Sequence, residues 1–409
     1  MSEIAIIGAG FIGLASAAAL MRDGHRVTLF DPAGVGQGAS FGNAGTFAHY
    51  ACIPVNNPSV FHDLPRFLLS NDSPFRLRWG YLPHLAPWLA RFMASSLPRR
   101  YEASAAALAA LLDCAQDGYA PLLADAELAR FVRPRECLYL YSNAASFDGA
   151  RAALDLRQKL GVTFEVLGGS DIRALEPALA PIFERGVLFS NSWHFSDPAG
   201  FLQTLYQQLA AQGLTLERSA VQAVEPLADG ASVNVDGSAR RFSHVVIATG
   251  ARSAQFAKQC GDAVPLDTER GYHVRFPGAQ QLISRPVGWA ERGFYMTPMS
   301  DGLRVAGTVE LAGFGDTRNR SLLDLLTFSS KRALPGLDTP DSSWLGFRPT
   351  LPDGVPVLGR SRASSRVIYA FGHQHLGLTL AGVSGRIVAD LIAQRAPPLD
   401  LAPYAATRF

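Results

Sequence analysis

A chain of 409 residues that is 48% hydrophobic can bury large cores and is expected to form two domains, which excludes a small binding module. Its formal charge is only +2 with no lysine- or arginine-rich run, so the sequence carries no footprint of nucleic-acid binding. Cys52, Cys114, Cys137 and Cys260 form no CxxC pair, which argues against a metal site, a cluster or a disulfide framework and fits a reducing cytoplasm.

Ile4-Ala5-Ile6-Ile7 is an apolar run without alternation, the pattern of a strand buried on both faces of a parallel sheet. Because this core strand starts so early, no cleavable signal peptide is expected. Gly8, Gly10 and Gly13 follow in GxGxxG spacing, with Phe11 and Ile12 between them, and residues 15–20 supply a helix. The first glycine permits a tight turn, the second lets backbone approach a pyrophosphate, and the third lets helix and strand pack closely. The helix start offers free N–H groups and a positive dipole end to phosphate. Val27-Thr28-Leu29-Phe30 reads as the next strand, and Asp31 at its end is placed to accept from ribose hydroxyls. Together these name an ADP-containing cofactor without separating FAD from NAD.

Further along, residues 61–97 interleave Phe67, Trp79, Tyr81, Trp88 and Phe92 with prolines and Arg66, Arg76, Arg78 and Arg91. Such a pattern would suit an interfacial membrane patch, but a helical flap packed on a domain core is the preferred reading; no apolar run is long enough to span a bilayer. Residues 101–129 read as one long helix or a pair, 137–141 as a strand, 147–160 as a helix and 162–167 as a strand. Trp193 and His194 precede Asp197-Pro198, an N-cap acid and first-turn proline that open a helix through Leu209, ended by Gly213. Short strands follow, near Val221 among others, leading to a second buried run, Val245-Val246-Ile247-Ala248, that ends in Thr249-Gly250-Ala251 beside the expected cofactor. More strands are expected at 271–276, 293–298 and 303–309, then strand, turn and helix from 344 to 391.

The expected architecture is α/β. A Rossmann-like cofactor domain comprises 1–60, 195–262 and 344–409, and an inserted α+β substrate domain on a mixed or antiparallel sheet comprises 61–194 and 263–343.

Four segments carry a family resemblance: the glycine fingerprint; Ser40-Phe41-Gly42-Asn43-Ala44-Gly45; Ala248-Thr249-Gly250-Ala251; and a tail in which Gly346-Phe347-Arg348-Pro349 precedes Gly372-His373-Gln374-His375-Leu376-Gly377-Leu378-Thr379. In this order they resemble the FAD-dependent D-amino acid oxidases and dehydrogenases, which include glycine oxidase and sarcosine oxidase. The second segment is most similar to the SxxNAG version of bacterial D-amino acid dehydrogenases, and GHQHLG resembles D-proline or cis-4-hydroxy-D-proline dehydrogenases. The resemblance implies a glutathione-reductase-type FAD domain. It also implies that Ser40, Asn43, Ala44 and Gly45, with Val221, Thr249, Gly250, Gly372, His373, Leu376, Gly377, Leu378 and Thr379, join the fingerprint in holding FAD. Helix N-terminal amides near Gly377 would face the charge that a reduced flavin carries.

Arg348 is the residue expected to grip a substrate carboxylate, because a guanidinium forms two parallel hydrogen bonds that lysine cannot. The resemblance implies that Tyr295 shares that carboxylate or closes over the substrate and that Tyr272, with His273, faces the pocket; His375 reads equally as a residue that orients the amine or a ring hydroxyl and as a satisfied core histidine, and His49 and Tyr50 are further candidates. No cysteine stands in 346–349, where relatives with covalent flavin have one, so FAD is expected to be noncovalent, and no metal is expected. The implied reaction oxidises a D-amino acid, or a cyclic imino acid such as D-proline, by hydride transfer to flavin. A quinone or carrier would take the electrons rather than oxygen, with peripheral contact at the inner membrane. The rival readings are a sarcosine- or glycine-type oxidase making peroxide, and a flavin subunit of a hetero-oligomer.

Overall fold

The computed structural model describes residues 1–58 and 73–409, so Phe67 and Arg66 of the aromatic and arginine stretch lie outside the described residues. The first sheet runs in the order Thr215–Glu217, Arg26–Phe30, Glu3–Ile7, His244–Ile247, Val367–Phe371, Val357–Arg360. All neighbours are parallel except the last pair. Its apolar runs lack alternation because both faces are covered. Ile4, Ile6, Leu29 and Val246 pack under the helices Phe11–Arg22 and Ala381–Ile392. Ala5, Ile7, Val245 and Ile247 meet a three-stranded antiparallel sheet of Val221–Leu227, Gly230–Val235 and Ser238–Phe242.

The second sheet is mixed: Ser342–Thr350, Asp267–Phe276, Gly302–Leu311, Phe294–Met299, Val287–Trp289, Cys137–Tyr141, Arg185–Phe189 and Phe164–Gly168 in spatial order, with Phe75–Leu77 beside Gly302–Leu311. Register sorts its two faces, since directly opposed residues share a face and successive ones alternate. Trp344, Gly346 and Arg348 oppose His273, Gly271 and Glu269, and Tyr295 opposes both Ala306 and Gly288, which in turn opposes Tyr139. That face looks toward the cofactor sheet. The other face, with Tyr272, Val274, Phe276, Phe294 and Met296, is a core beneath the helix Arg320–Ala333.

Several expectations shift. The helical stretch expected at 101–129 is three helices, Pro98–Asp113, Ala115–Leu123 and Ala126–Ala129, and the one expected at 147–160 breaks into Ala144–Gly149 and Arg151–Lys159. Trp193 and His194, ahead of that helix start, lie in the strand Trp193–Phe195, paired with Thr46–Phe47. A domain boundary at 344 falls inside Ser342–Thr350, whose whole length pairs with Asp267–Phe276, so that strand belongs to the mixed sheet. Helix Ala115–Leu123 packs instead on the cofactor side: Tyr119 donates to Leu378 O at 2.5 Å. There Gly118 and Gly382 touch backbone to backbone, and a Cβ on either would overlap the other helix. Gly118→Leu is therefore expected to lower stability by about 3 kcal/mol, the upper end of overpacking costs. A urea-unfolding midpoint unchanged by that substitution would contradict this packing.

Candidate active site

Glycine 8 has φ +107°, and a Cβ there would collide with Ala248 O; a Cβ on Gly13 would collide with Gly8 O, and one on Gly10 would come within 2.9 Å of Ser40 Oγ. The turn is thus drawn tight by strands, helix and loop together. Asp31 accepts from Ala9 N at 2.9 Å, Ala33 N at 3.0 Å and Gly34 N at 3.2 Å, which fixes its carboxylate at the strand end while leaving lone pairs for a ribose. Phe11 N donates to Ser40 Oγ at 3.1 Å, tying the helix start to the next loop.

Within that loop Asn43 organises the backbone: its Nδ2 donates to Ser40 O at 2.5 Å and its Oδ1 accepts from Gly45 N at 2.7 Å. Gly45 is left-handed, and Phe195 N donates to its carbonyl at 2.8 Å. Thr249 bonds Ser253 through their hydroxyls at 2.9 Å, and beside it Gly250, φ +57°, faces open space. Val221 opens the three-stranded sheet just past Glu217, whose carbonyl accepts from Asp31 N at 3.1 Å.

The C-terminal turn closes the site. Thr379 Oγ1 accepts from Ala48 N at 3.0 Å, and Gln374 donates through N to Pro349 O at 3.1 Å and through Nε2 to Leu351 O at 3.2 Å. These bonds bring residues 46–48, the Arg348 strand and residues 372–380 to one place. The regular helix starts at Ala381, later than expected, with a tight turn before it. Among the described residues the N–H groups of Gly377, Leu378 and Thr379 find no acceptor within the chain. Leu378 and Thr379 are buried, and buried donors are rarely left unpaired. Such a row at a helix start fits the electron-rich edge of a flavin, as the glycine turn fits its pyrophosphate.

Arg348 sits on the shared face of the mixed sheet. Its Nη1 donates to Thr308 O at 2.7 Å and its Nη2 to Gly307 O at 3.2 Å, and it packs flat over Gly271, where any Cβ would overlap the guanidinium. Thr308 is a β-branched residue at φ +59°, a strained conformation that turns these carbonyls toward the arginine. Burial pulls the Arg348 pKa down, while the Glu269 carboxyl pushes it up. Several guanidinium N–H groups remain for a carboxylate. On the same face the Tyr295 hydroxyl lies 3.5 Å from Tyr50 OH, whose single proton is donated to Cys137 Sγ at 3.1 Å; Tyr139 lies beside Tyr295, ring centroids 5.7 Å apart. Burial, foremost, holds the Tyr50 and Tyr295 phenols well above the ordinary range, so both stay protonated.

The His375 ring is accessible to solvent yet surrounded by the fold, and that desolvation, then the Arg348 charge, holds its pKa at about 4. It is a neutral ring across the working range. Two expected residues are placed elsewhere. Tyr272 is on the opposite face of the sheet, where its OH donates to Glu310 Oε2 at 2.5 Å and accepts from Asn319 N at 3.2 Å. It does not face the pocket. His373 turns inward, its Nε2 2.9 Å from Ser384 Oγ, so it pins the turn to the last helix. Sequence reasoning missed Arg304, Trp344 and Tyr139. The apolar even positions Val274 and Phe276 were the available signal for which face Trp344 and its neighbours occupy.

Burial also pushes the pKa of His194 and His273 down to about 4 and of His373 to about 3. Each is neutral when folded and takes up a proton on unfolding below its ordinary 6.5, so folding is favoured above that value and stability is lost as pH falls from 6.5 toward 4. The thermal midpoint is expected to decline steeply over that window, and a flat profile there would contradict the burial of these rings.

The family model for FAD dependent oxidoreductases, DAO, matches residues 3–391. The chain is 34% identical to a D-amino-acid oxidase of Bradyrhizobium diazoefficiens, over 100% of this chain and 99% of that protein. It is 30% identical to D-amino acid dehydrogenase 2 of Ralstonia nicotianae, over 99% and 100%. Among solved structures, glycine oxidase from Geobacillus kaustophilus has a similar fold, with TM-score 0.73, 22% identity, and coverage of 100% of this chain and 99% of that one. L-proline dehydrogenase from P. horikoshii aligns with TM-score 0.74 at 18% identity, covering 100% and 97%.

Proposed function

The chain belongs to the DAO family of FAD-dependent oxidoreductases, and on that premise we propose that it dehydrogenates a D-amino acid, or a cyclic imino acid such as D-proline. The observation that carries this is Arg348, seated on the Gly307 and Thr308 carbonyls on the face that looks toward the cofactor sheet, next to the C-terminal turn with its free amides. FAD, held without a covalent bond, supplies a two-electron acceptor for the Cα hydrogen as hydride.

The protein's part is placement. Arg348 takes the substrate carboxylate with its unused N–H groups, and Tyr295, protonated throughout, donates to the same group. Tyr139 and Tyr50 flank Tyr295 and place apolar ring surface beside it. His375, neutral and close enough to feel the Arg348 charge, can accept from the substrate amine. With carboxylate and amine both fixed, the Cα hydrogen has one direction left, so rate depends mainly on position. The imine product then hydrolyses to a keto acid, or stays cyclic for a proline derivative.

The electron acceptor in this reading is a quinone or carrier. Supporting it, the helix Leu82–Ser95 buries only Leu85 and Trp88, and Trp79 and Leu97 at its two ends are 62% and 51% exposed, a surface suited to peripheral contact with a bilayer or a partner. No helix among the described residues is long and apolar enough to cross a membrane. Turnover of D-amino acids with an artificial dye, with keto acid formed and little hydrogen peroxide, is the expected result. Stoichiometric peroxide would favour the oxidase alternative, and fast turnover of N-methylglycine but not of D-amino acids would overturn the substrate assignment.

A further inference from the structure

Arg304 is a buried cation on which Asp301 and Asp197 act only from beyond ion-pair contact. It lies on Gly302–Leu311, only 7% exposed, and makes no ion pair among the described residues; neighbouring Asp301 is engaged by Arg275 at 2.9 Å. Its Nη1 donates to Phe41 O at 3.2 Å and to Asn43 O at 3.1 Å, while its Nε is buried with no acceptor. Between those carbonyls Gly42 O lies 3.1 Å from His273 Nδ1, which therefore carries the proton. His273 is braced by Trp344, stacked at 5.3 Å, and Trp344 fills the space a side chain at Gly42 or Gly346 would need.

Three successive carbonyls of the 40–45 loop are thus bound by one wall of the mixed sheet. A trans peptide places each N–H opposite its carbonyl, so the N–H groups of Gly42, Asn43 and Ala44 are turned away from that wall. None of them finds an acceptor within the chain among the described residues. A cation at the carbonyl ends polarises these amides and strengthens them as donors, and its own charge is only partly offset, since Asp301 and Asp197 act on it without an ion-pair contact and burial outweighs them. An anion forming on the far side of the loop would balance it.

We propose that Arg304 is a positioning residue that, acting through the amides of Gly42, Asn43 and Ala44, favours the negatively charged reduced flavin over the oxidised one. His273 contributes orientation without charge, so the electrostatic effect belongs to Arg304. This rests on the functional reading above and on the family resemblance, which implies that residues of the 40–45 loop help to hold FAD.

The test is the flavin reduction potential of the FAD-loaded protein and of two variants. Arg304→Gln keeps a donor for the Phe41 and Asn43 carbonyls but removes the charge; its equilibrium constant for flavin reduction should fall about tenfold, roughly 30 mV for a two-electron couple. Arg304→Lys keeps the charge and should stay within about twofold of the parent, an order-of-magnitude expectation for a retained point charge. The Gln variant should also lose kcat with little change in KM. An unchanged potential in Arg304→Gln, an equal fall in Arg304→Lys, or loss of flavin from both variants would overturn the proposal. Failure of the functional reading itself would show differently, as a parent protein whose flavin no amino acid reduces.

Discussion

Replacing Arg348 by alanine should raise KM for a D-amino acid by about 100- to 1,000-fold while the protein stays folded and yellow. The magnitude follows from truncating one partner of a buried, charge-assisted pair, which costs about 2–5 kcal/mol, each 1.4 kcal/mol being a factor of ten. Flavin binding should survive because the contacts of Arg348 are to Gly307 and Thr308 on the mixed sheet, not to the glycine turn or to the amides of 377–379. Arg348→Lys should recover little, because a point charge cannot bridge the two carbonyls and a carboxylate together. Steady-state kinetics beside the visible spectrum separates the outcomes. A KM within a few-fold of the parent would remove Arg348 from the substrate site, and colourless protein would make it a structural residue.

The second large effect is expected at Gly13. A Cβ there would overlap Gly8 O, with Ile6 Cγ2 at 3.6 Å behind it, so nothing on that side is a flexible side-chain end that could move aside. Gly13→Val must push the Phe11–Arg22 helix off the first strand, which opens the turn that the Asp31 to Ala9 bond holds closed. The expected product is protein without flavin, with stability lower by about 3 kcal/mol or more as for a strained core insertion. Retention of stoichiometric FAD, read from the ratio of visible to ultraviolet absorbance after gel filtration, would contradict the close packing at the fingerprint.

These two sites differ in how far the chain announces them. The fingerprint is legible because every cue is local: an unbroken apolar run, three glycines and an acid fall within one βαβ unit, and each residue's task is decided by near neighbours in sequence. The Asp197-Pro198 helix start is legible for the same reason, and Asp197 does accept from Gly200 N at 2.8 Å. Arg348 could be named but its seat could not, since a threonine at φ +59° is not something a β-branched residue advertises.

Tyr272 was placed by its motif neighbours, although the apolar pattern of Val274 and Phe276 already assigned its face to the core. Arg304 reads in sequence as a lone charge in an apolar strand. Its meaning comes from the carbonyls of Phe41 and Asn43, which only the fold brings near. The boundary expected at 344 failed likewise, because the pairing of Ser342–Thr350 with Asp267–Phe276 is a long-range choice with no local marker.

The central claim is that this chain holds an FAD whose reduction depends on a carboxylate-anchored amino acid of D configuration. Anaerobic mixing of the FAD-loaded protein with the two enantiomers of a neutral amino acid, and separately with D-proline, tests it most directly. Loss of the yellow flavin band with a D-substrate, and a persistent band with the L-enantiomer, is the predicted result. Bleaching by the L-enantiomer alone, or by neither enantiomer nor D-proline, would contradict the account.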